Sequence, residues 1–186
     1  MNTNMVTKET NEDKLGTELL SEHSLVSDTL LDKLIRVTYK VAYLGHLAVN
    51  FFIRPQTRGA YVALWLDGKI LLIRNSYKSV YTIPCGGIDQ TETPVEAARR
   101  ELLEEVGLDV PVEKFQPVWQ LINHTEFKQD RIFIFEVHLQ TSPELKPDGR
   151  EVVWLGFRNL KDALAMPVFP PVKDYLLQQQ SFDREG

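Results

Sequence analysis

The segment from Thr93 to Gly107 constrains the fold most, because both its ends and both its faces can be read from residue types. Thr93 and Glu96 form a Thr-x-x-Glu capping box with Pro94 at the first helical position, and Gly107 stands where a left-handed C-cap belongs. Val95, Leu102 and Val106 cluster as a stripe to be buried, while Glu101, Glu104 and Glu105, related by steps of three and four, share another face. Like charges at these spacings repel by a few tenths of a kcal/mol per pair, roughly. They also sit at the helix end where the macrodipole disfavours negative charge. On their own, the three glutamates read as a solvated acidic face balanced by Arg99 and Arg100. Helix stability does not call for them, whereas a hard divalent cation does, since Mg²⁺ takes oxygen ligands and bridges carboxylates to phosphates.

The buried stripe needs a second layer, and the flanking sequence supplies strands. Tyr61–Leu66 and Ile70–Arg74 surround Asp67-Gly68, a two-residue hairpin signal. Tyr81–Pro84 reads as a short strand that leads into a loop at Cys85-Gly86-Gly87. Further strands are expected at Phe115–Asn123, Arg131–Leu139 and Glu151–Phe157, then helices at Leu160–Ala165 and Val172–Gln180. Strands on both sides of a helix make this an α/β chain.

The glutamates also sit inside a longer block: Gly86, five residues, Glu92, seven residues, Arg100-Glu101-Leu102, one residue, Glu104-Glu105, one residue, Gly107-Leu108. At ordinary amino-acid usage its fixed positions match by chance roughly once in 10⁸ starting points. The block resembles the Nudix box, G-x5-E-x7-R-E-U-x-E-E-x-G-U with U a bulky aliphatic, and no fixed position is missed. The resemblance implies the Nudix fold, an α/β/α sandwich around a mixed β-sheet, over residues 55–180. It implies that Glu101, Glu104, Glu105 and the Gly86 carbonyl ligate Mg²⁺ or Mn²⁺. Arg100 would orient the glutamates, and Glu92 would brace the loop. Gly107 caps the helix. The implied reaction is hydrolysis of a diphosphate linked to another moiety by water attack on phosphorus. Glu104 is the first choice for general base and Glu101 the second, with Glu144, Asp148 and Glu151 as candidates from a later loop. Where many members of the family have glycine, this chain has Cys85 and Thr91, residues that tolerate positive φ less well. Cys85 itself reads as a small packed residue rather than a redox sensor. Arg74 and Lys78 are the candidate substrate-phosphate ligands, just after a strand and ahead of the box.

Residues 1–27 are polar and show no period, which reads as a mobile tail; 181–186 form a second tail. Between them and the box domain, residues 28–54 are expected to form an amphipathic helix. Its apolar positions are Leu30, Leu34, Val37, Val41, Leu44, Ala48 and Phe51, with Ser27 as the N-cap and Pro55 at or beyond the end. The charge-free run Val41–Ile53 is 13 residues, short of the ~20 needed to span a bilayer. The expected uses of this helix are packing on the domain, a homodimer contact or a peripheral membrane contact. A net charge of −5 argues against a stable nucleic-acid scaffold role. The single cysteine excludes an intramolecular disulfide and fits a reducing, cytoplasmic setting.

The functional expectation is therefore metal-dependent cleavage of a phosphoanhydride in a small nucleoside-diphosphate-linked substrate. The rival is a Nudix-fold module that binds such a ligand and regulates or scaffolds. Nothing in the box selects the group attached to the diphosphate.

Overall fold

The computed structural model describes residues 23–24, 29–147 and 149–182. Helix α1 (Leu30–Ile53) comes first among the long elements, followed by strands β2 (Gln56–Leu66), β3 (Lys69–Asn75) and β4 (Cys85–Gly87). Helix α2 (Pro94–Val106) and a 3₁₀ turn (Val112–Lys114) lead to β5 (Gln116–Asn123), β6 (Gln129–Leu139) and β7 (Val152–Asn159). Helices α3 (Leu160–Ala165) and α4 (Pro170–Phe182) close the chain. A two-residue strand β1 (His23–Ser24) pairs with β7 opposite Leu155 and Trp154; the rest of the expected 1–27 tail lies outside the described residues.

The strands form one mixed sheet in the order β1-β7-β3-β2-β6-β5, with β4 added to β2. The β2–β6 pair is parallel and in register from Gln56↔Gln129 to Leu66↔Leu139; the other pairs are antiparallel. Alternation along β2 sends Ala60, Val62 and Leu64 to the face covered by Ala97, Ala98, Leu102 and Val106 of α2. Tyr61 and Ala63 go to the opposite face, covered by Ala163 of α3 and Val172, Tyr175 and Leu176 of α4. A central strand covered on both sides reads as a nearly unbroken apolar run, as Ala60–Leu64 does. This is an α/β/α sandwich. Asp67 (φ 49°) and Gly68 (φ 71°) both take the left-handed conformation that a two-residue hairpin of this kind demands.

Three local expectations change. Thr29, not Ser27, is the N-cap of α1: its hydroxyl accepts from the Asp32 N–H, and Ser27 lies outside the described residues. Tyr81 and Thr82 make only isolated bridges, to Val168 and Ile73. The segment that joins the sheet is instead Cys85–Gly87, against Gly59–Tyr61. Strand propensity identified the apolar residues, but ladder pairing is decided by the partner. The terminal helix also begins two residues early, at Pro170, because proline suits a first helical turn.

Helix α1 is amphipathic, but its apolar face is turned outward. Leu34, Val37, Val41 and Leu44 are 64%, 55%, 63% and 63% exposed, whereas Asp32 and Asn50 are buried. Its polar side meets the loops around the candidate site. The Arg36 guanidinium donates to the Gly149 carbonyl (3.1 Å), the Tyr43 hydroxyl to Glu126 (2.9 Å) and the Asn50 amide to the Glu126 carbonyl (3.2 Å). The helix ends in the left-handed Arg54 (φ 48°), with Pro55 just beyond. Among the described residues no helix is long and apolar enough to cross a membrane.

Candidate active site

The site is assembled by holding α2 rigidly at its ends and along its buried stripe. Both arms of the capping box form: the Thr93 N–H donates to the Glu96 carboxylate (2.8 Å), and the Glu96 N–H donates to the Thr93 hydroxyl (3.4 Å). Gly107, at φ 74°, ends the helix with its N–H on the Leu103 carbonyl. With Leu102 and Val106 fully buried, Glu101 and Glu105 are turned toward β4 and the loop that follows β3, while Glu104 lies nearer solvent.

Arg100 ties the box together. Its Nε and Nη2 donate to the two oxygens of Glu92 (2.7 and 3.0 Å), and Nη2 also reaches the Gly87 carbonyl (2.9 Å). Nη1 donates to Glu101 (2.5 Å) and, more weakly, to Glu104 (3.3 Å). A planar fork with fixed donors suits this task in a way a lysine would not. The contact with Arg100 holds the Glu92 carboxyl below its usual range. A Cβ at Gly86 would overlap the Glu101 carboxylate, so any side chain there would push Glu101 out of its place. Neither Cys85 nor Thr91 has a positive φ, so the absence of glycine at those two positions carries no conformational strain.

The three box glutamates differ sharply in setting. Glu105 is buried and accepts from the Cys85 N–H (2.8 Å) and the Asn75 amide (3.1 Å). Burial pushes its carboxyl up to about 8 against those two hydrogen bonds, and the charges of Glu101 and Glu151 add to the rise. Glu101 has 12% of its side chain exposed; burial raises its pKa as well, opposed by Arg100 and reinforced by Glu104 and Glu151. Glu104, by contrast, has 59% of its side chain exposed.

Sequence reading gave no role to Asn75 or Tyr77, and only a provisional one to Glu151. The Tyr77 hydroxyl donates to Glu151 (2.8 Å), and the Asn75 amide reaches Glu105, Glu151 (3.4 Å) and Tyr77 (3.2 Å). The only advance signal was position, at the end of a strand ahead of the box. Of the later-loop candidates, Glu151 joins the carboxylates. Glu144 points to solvent and pairs with Lys146 (3.2 Å), and Asp148 lies outside the described residues.

Among the described residues no three His, Cys, Asp or Glu side chains already converge as a finished metal cage. The donor set nevertheless fits a hard divalent cation. The charge of Glu151 raises the proton affinity of both Glu101 and Glu105, and Glu101 adds to the rise at Glu105; Asn75 Oδ1 beside them is buried with no hydrogen-bond partner. A cation relieves both conditions at once.

Lys78 and Arg74 separate in the structure. Lys78 pairs with Glu126 (3.1 Å) and lies within 6 Å of the ring centroids of Tyr43, Tyr77 and Phe169. Its charge reaches the Cys85 thiol, so it borders the site. Burial alone would lower the Lys78 pKa, but the negative groups around it leave it raised, and the ammonium stays charged. Arg74 instead lays its guanidinium 5.6 Å from the Tyr81 ring centroid. The Cys85 thiol is pushed up by its own burial and by Glu105, and sits 3.7 Å from the Thr82 hydroxyl; a thiol so protected is a packed group, not a reactive thiolate. A depression of about 310 Å³ lies beyond the ends of β2 and β6, lined by Gln56, Thr57, Arg58, Ile122, Gln129 and Arg131. Arg58 and Arg131 are direct register partners there.

A NUDIX domain model matches residues 55–180, about two-thirds of the chain. The chain belongs to the NUDIX family. Its reading as a Nudix hydrolase rests on the same match. An RNA pyrophosphohydrolase of Helicobacter pylori (strain ATCC 700392 / 26695) is 31% identical over 126 residues, which span 61% of this chain and 80% of that relative. One of Halorhodospira halophila is 48% identical over 42 residues, and there the chain spans about a quarter of the relative's length, 23%. Among solved structures, a MutT protein from Methanosarcina mazei Go1 superposes with a TM-score of 0.60 at 21% identity, over 72% of this chain and 96% of that one. That likeness establishes the fold.

Proposed function

We propose that this Nudix hydrolase cleaves a phosphoanhydride in a nucleoside-diphosphate-linked substrate, by water attack on phosphorus and with a divalent metal held by Glu101, Glu104, Glu105 and the Gly86 carbonyl. The observation that carries this reading is the buried Glu105 beside Glu101 and Glu151, an arrangement that costs stability unless a cation joins it. Bound there, Mg²⁺ or Mn²⁺ would supply charge neutralisation and a more acidic water.

The chain's own residues divide the remaining work. Arg100 holds Glu101 and Glu104 in orientation through charge-assisted hydrogen bonds and fixes the loop through Glu92 and Gly87. Glu104, the glutamate with most freedom toward solvent, takes the proton of the attacking water. Asn75 and Tyr77 keep Glu105 and Glu151 in place. Lys78 meets the negative charge of the substrate, and Arg74, turned toward Tyr81, is the lesser of the two phosphate ligands.

Among possible substrates, a 5′-triphosphorylated RNA end is the first to try. The relatives named RNA pyrophosphohydrolase support that choice, as does the Arg58–Arg131 pair beyond β2 and β6, which suits a phosphodiester.

The test is product release from a panel of RNA 5′-triphosphate, ADP-ribose, dinucleoside polyphosphates and nucleoside triphosphates, with Mg²⁺ or Mn²⁺. Turnover of at least one is expected. Glu104→Gln should lower its kcat by about 10²–10⁴-fold at saturating metal, the usual contribution of a general base. If Glu151→Gln shows that loss and Glu104→Gln does not, the base is Glu151. No turnover of any member alongside tight binding of one would make the protein a binding module.

A further inference from the structure

The outward face of α1 is more regular than an amphipathic helix requires. Leu30, Leu34, Val37, Val41, Leu44, Ala48 and Phe51 follow steps of four and three without a break. That is the a/d spacing of a heptad seam, with Leu34, Val41 and Ala48 at a and Leu30, Val37, Leu44 and Phe51 at d. The polar residues that hold the helix on the domain fall at c and f, the positions opposite such a seam. Arg36, Tyr43 and Asn50 are c residues that bond to Gly149 and Glu126. Asp32 and Tyr39 are f residues that meet Arg150 (3.4 Å) and the Tyr77 ring (6.3 Å). Among the described residues the domain therefore occupies the back of the helix and reaches the seam only at its end, where Phe51 packs edge-to-face on Phe127 (5.2 Å); Leu30, Leu34, Val37, Val41 and Leu44 stay exposed.

We infer that the occupant of this seam is a second copy of the chain, with the two α1 helices packed in parallel. The flanking charges favour that arrangement. Lys33 and Lys40 stand at g, and Thr38, Gly45 and Phe52 at e. In a parallel pair each g residue faces the next e residue of the other copy, so Lys33 meets Thr38, Lys40 meets Gly45, and Leu47 meets Phe52. No like charges are opposed, and the last pair adds apolar contact. Nothing lies within 4 Å of where a Gly45 Cβ would stand, which leaves room for the Lys40 stem of the other copy. An antiparallel pair sets g against g and brings Lys40 against its own counterpart. Leu31, Val49, Phe52 and Ile53 widen the exposed apolar surface toward the two ends of the helix, but a membrane-surface helix needs cations along both borders of its apolar face, and here Lys33, Lys40 and Arg54 all lie on one flank. With the domains at the backs of the helices, a two-fold axis along the seam puts the two domains on opposite sides of the helix pair.

The test is sedimentation of the full chain from low to high micromolar concentration, beside flotation with anionic phospholipid vesicles. The expected species is a dimer, twice the 21.4 kDa chain. Leu34→Glu with Val41→Glu should make it monomeric with an unchanged circular dichroism spectrum, since both side chains are exposed. Leu34→Cys should form a reducible interchain disulfide on air oxidation, because a residues face each other in a parallel pair; Ala42→Cys, off the seam, should not. The inference fails if the chain is monomeric throughout, or if the dimer survives the double substitution or forms without the Leu34→Cys cross-link. It also fails if a monomer floats with vesicles and loses that binding on the same substitutions. None of these readouts depends on catalysis.

Discussion

Helices α1 and α2 are built with opposite orientations, and the difference separates what a periodic pattern tells from what it does not. In α2 the apolar stripe of Leu102 and Val106 is fully buried and the acidic face is turned toward the loops. In α1 the polar residues Asp32 and Asn50 are buried, and the apolar stripe faces out. A stripe at helical spacing states only that its members share a side. What that side touches is settled by the rest of the molecule. For α2 the sheet provides an apolar surface. For α1 the neighbouring surface is polar loop, Glu126, Gly149 and Arg150, so the c and f residues make the contact.

The largest test of this contrast is chemical. If the glutamate face holds a metal as proposed, Glu101→Gln should reduce kcat/KM by ~10³-fold or more, since several kcal/mol of transition-state stabilisation would pass through it and each ~1.4 kcal/mol is tenfold. Leu44→Gln on the outward face of α1 should leave that parameter within about threefold. Equal losses in a steady-state assay would show that the two faces do not differ as described.

Stability offers a second comparison. Leu102→Ala should lower the unfolding free energy by ~2–5 kcal/mol, the ordinary cost of emptying a buried leucine site. Leu34→Ala, measured in urea at concentrations dilute enough to isolate single chains, should change it by less than ~0.5 kcal/mol. A large loss at Leu34 under those conditions would mean that its face is covered within one chain.

The smallest test uses the two threonine caps. Thr93→Ala removes the hydroxyl arm of a capping box at the head of a core helix, leaving the bond from its own N–H to Glu96, and should cost ~1 kcal/mol of global stability. Thr29 caps a helix that lies outside the core, and its hydroxyl also bonds to the Asp32 carboxylate. Thr29→Ala should therefore fray the start of α1, seen as faster amide exchange over residues 30–33, while the global unfolding midpoint stays put.

The readable part of the fold was the part determined locally. The capping box, Gly107 and the Asp67-Gly68 hairpin are short-range statements, and each is present in the structure. The spacing of Glu101, Glu104 and Glu105 is local too, but their unequal burial is not, because it depends on β4 and on the loops after β3 and before β7. For the same reason Asn75 and Tyr77 were invisible. They matter through Glu105 and Glu151, 30 and 74 residues further along the chain. The strand expected at Tyr81–Pro84 fell three or four residues short of the Cys85–Gly87 pairing, because apolar content marks burial while a ladder needs a partner at the right distance.

The contacts of Glu126 bear on where this protein can be divided. Glu126 and Phe127 hold positive φ values of 56° and 58°, a costly backbone for residues with side chains. Tyr43 and Asn50 fasten that turn from α1, and Lys78 answers Glu126 from across the site. The family match starts at Pro55, so the clasp on this turn lies upstream of the matched domain. The edge of the matched domain and the reach of the contacts behind Lys78 thus fall in different places, and a chain begun at Pro55 would keep its sandwich while releasing the anchor that holds Lys78.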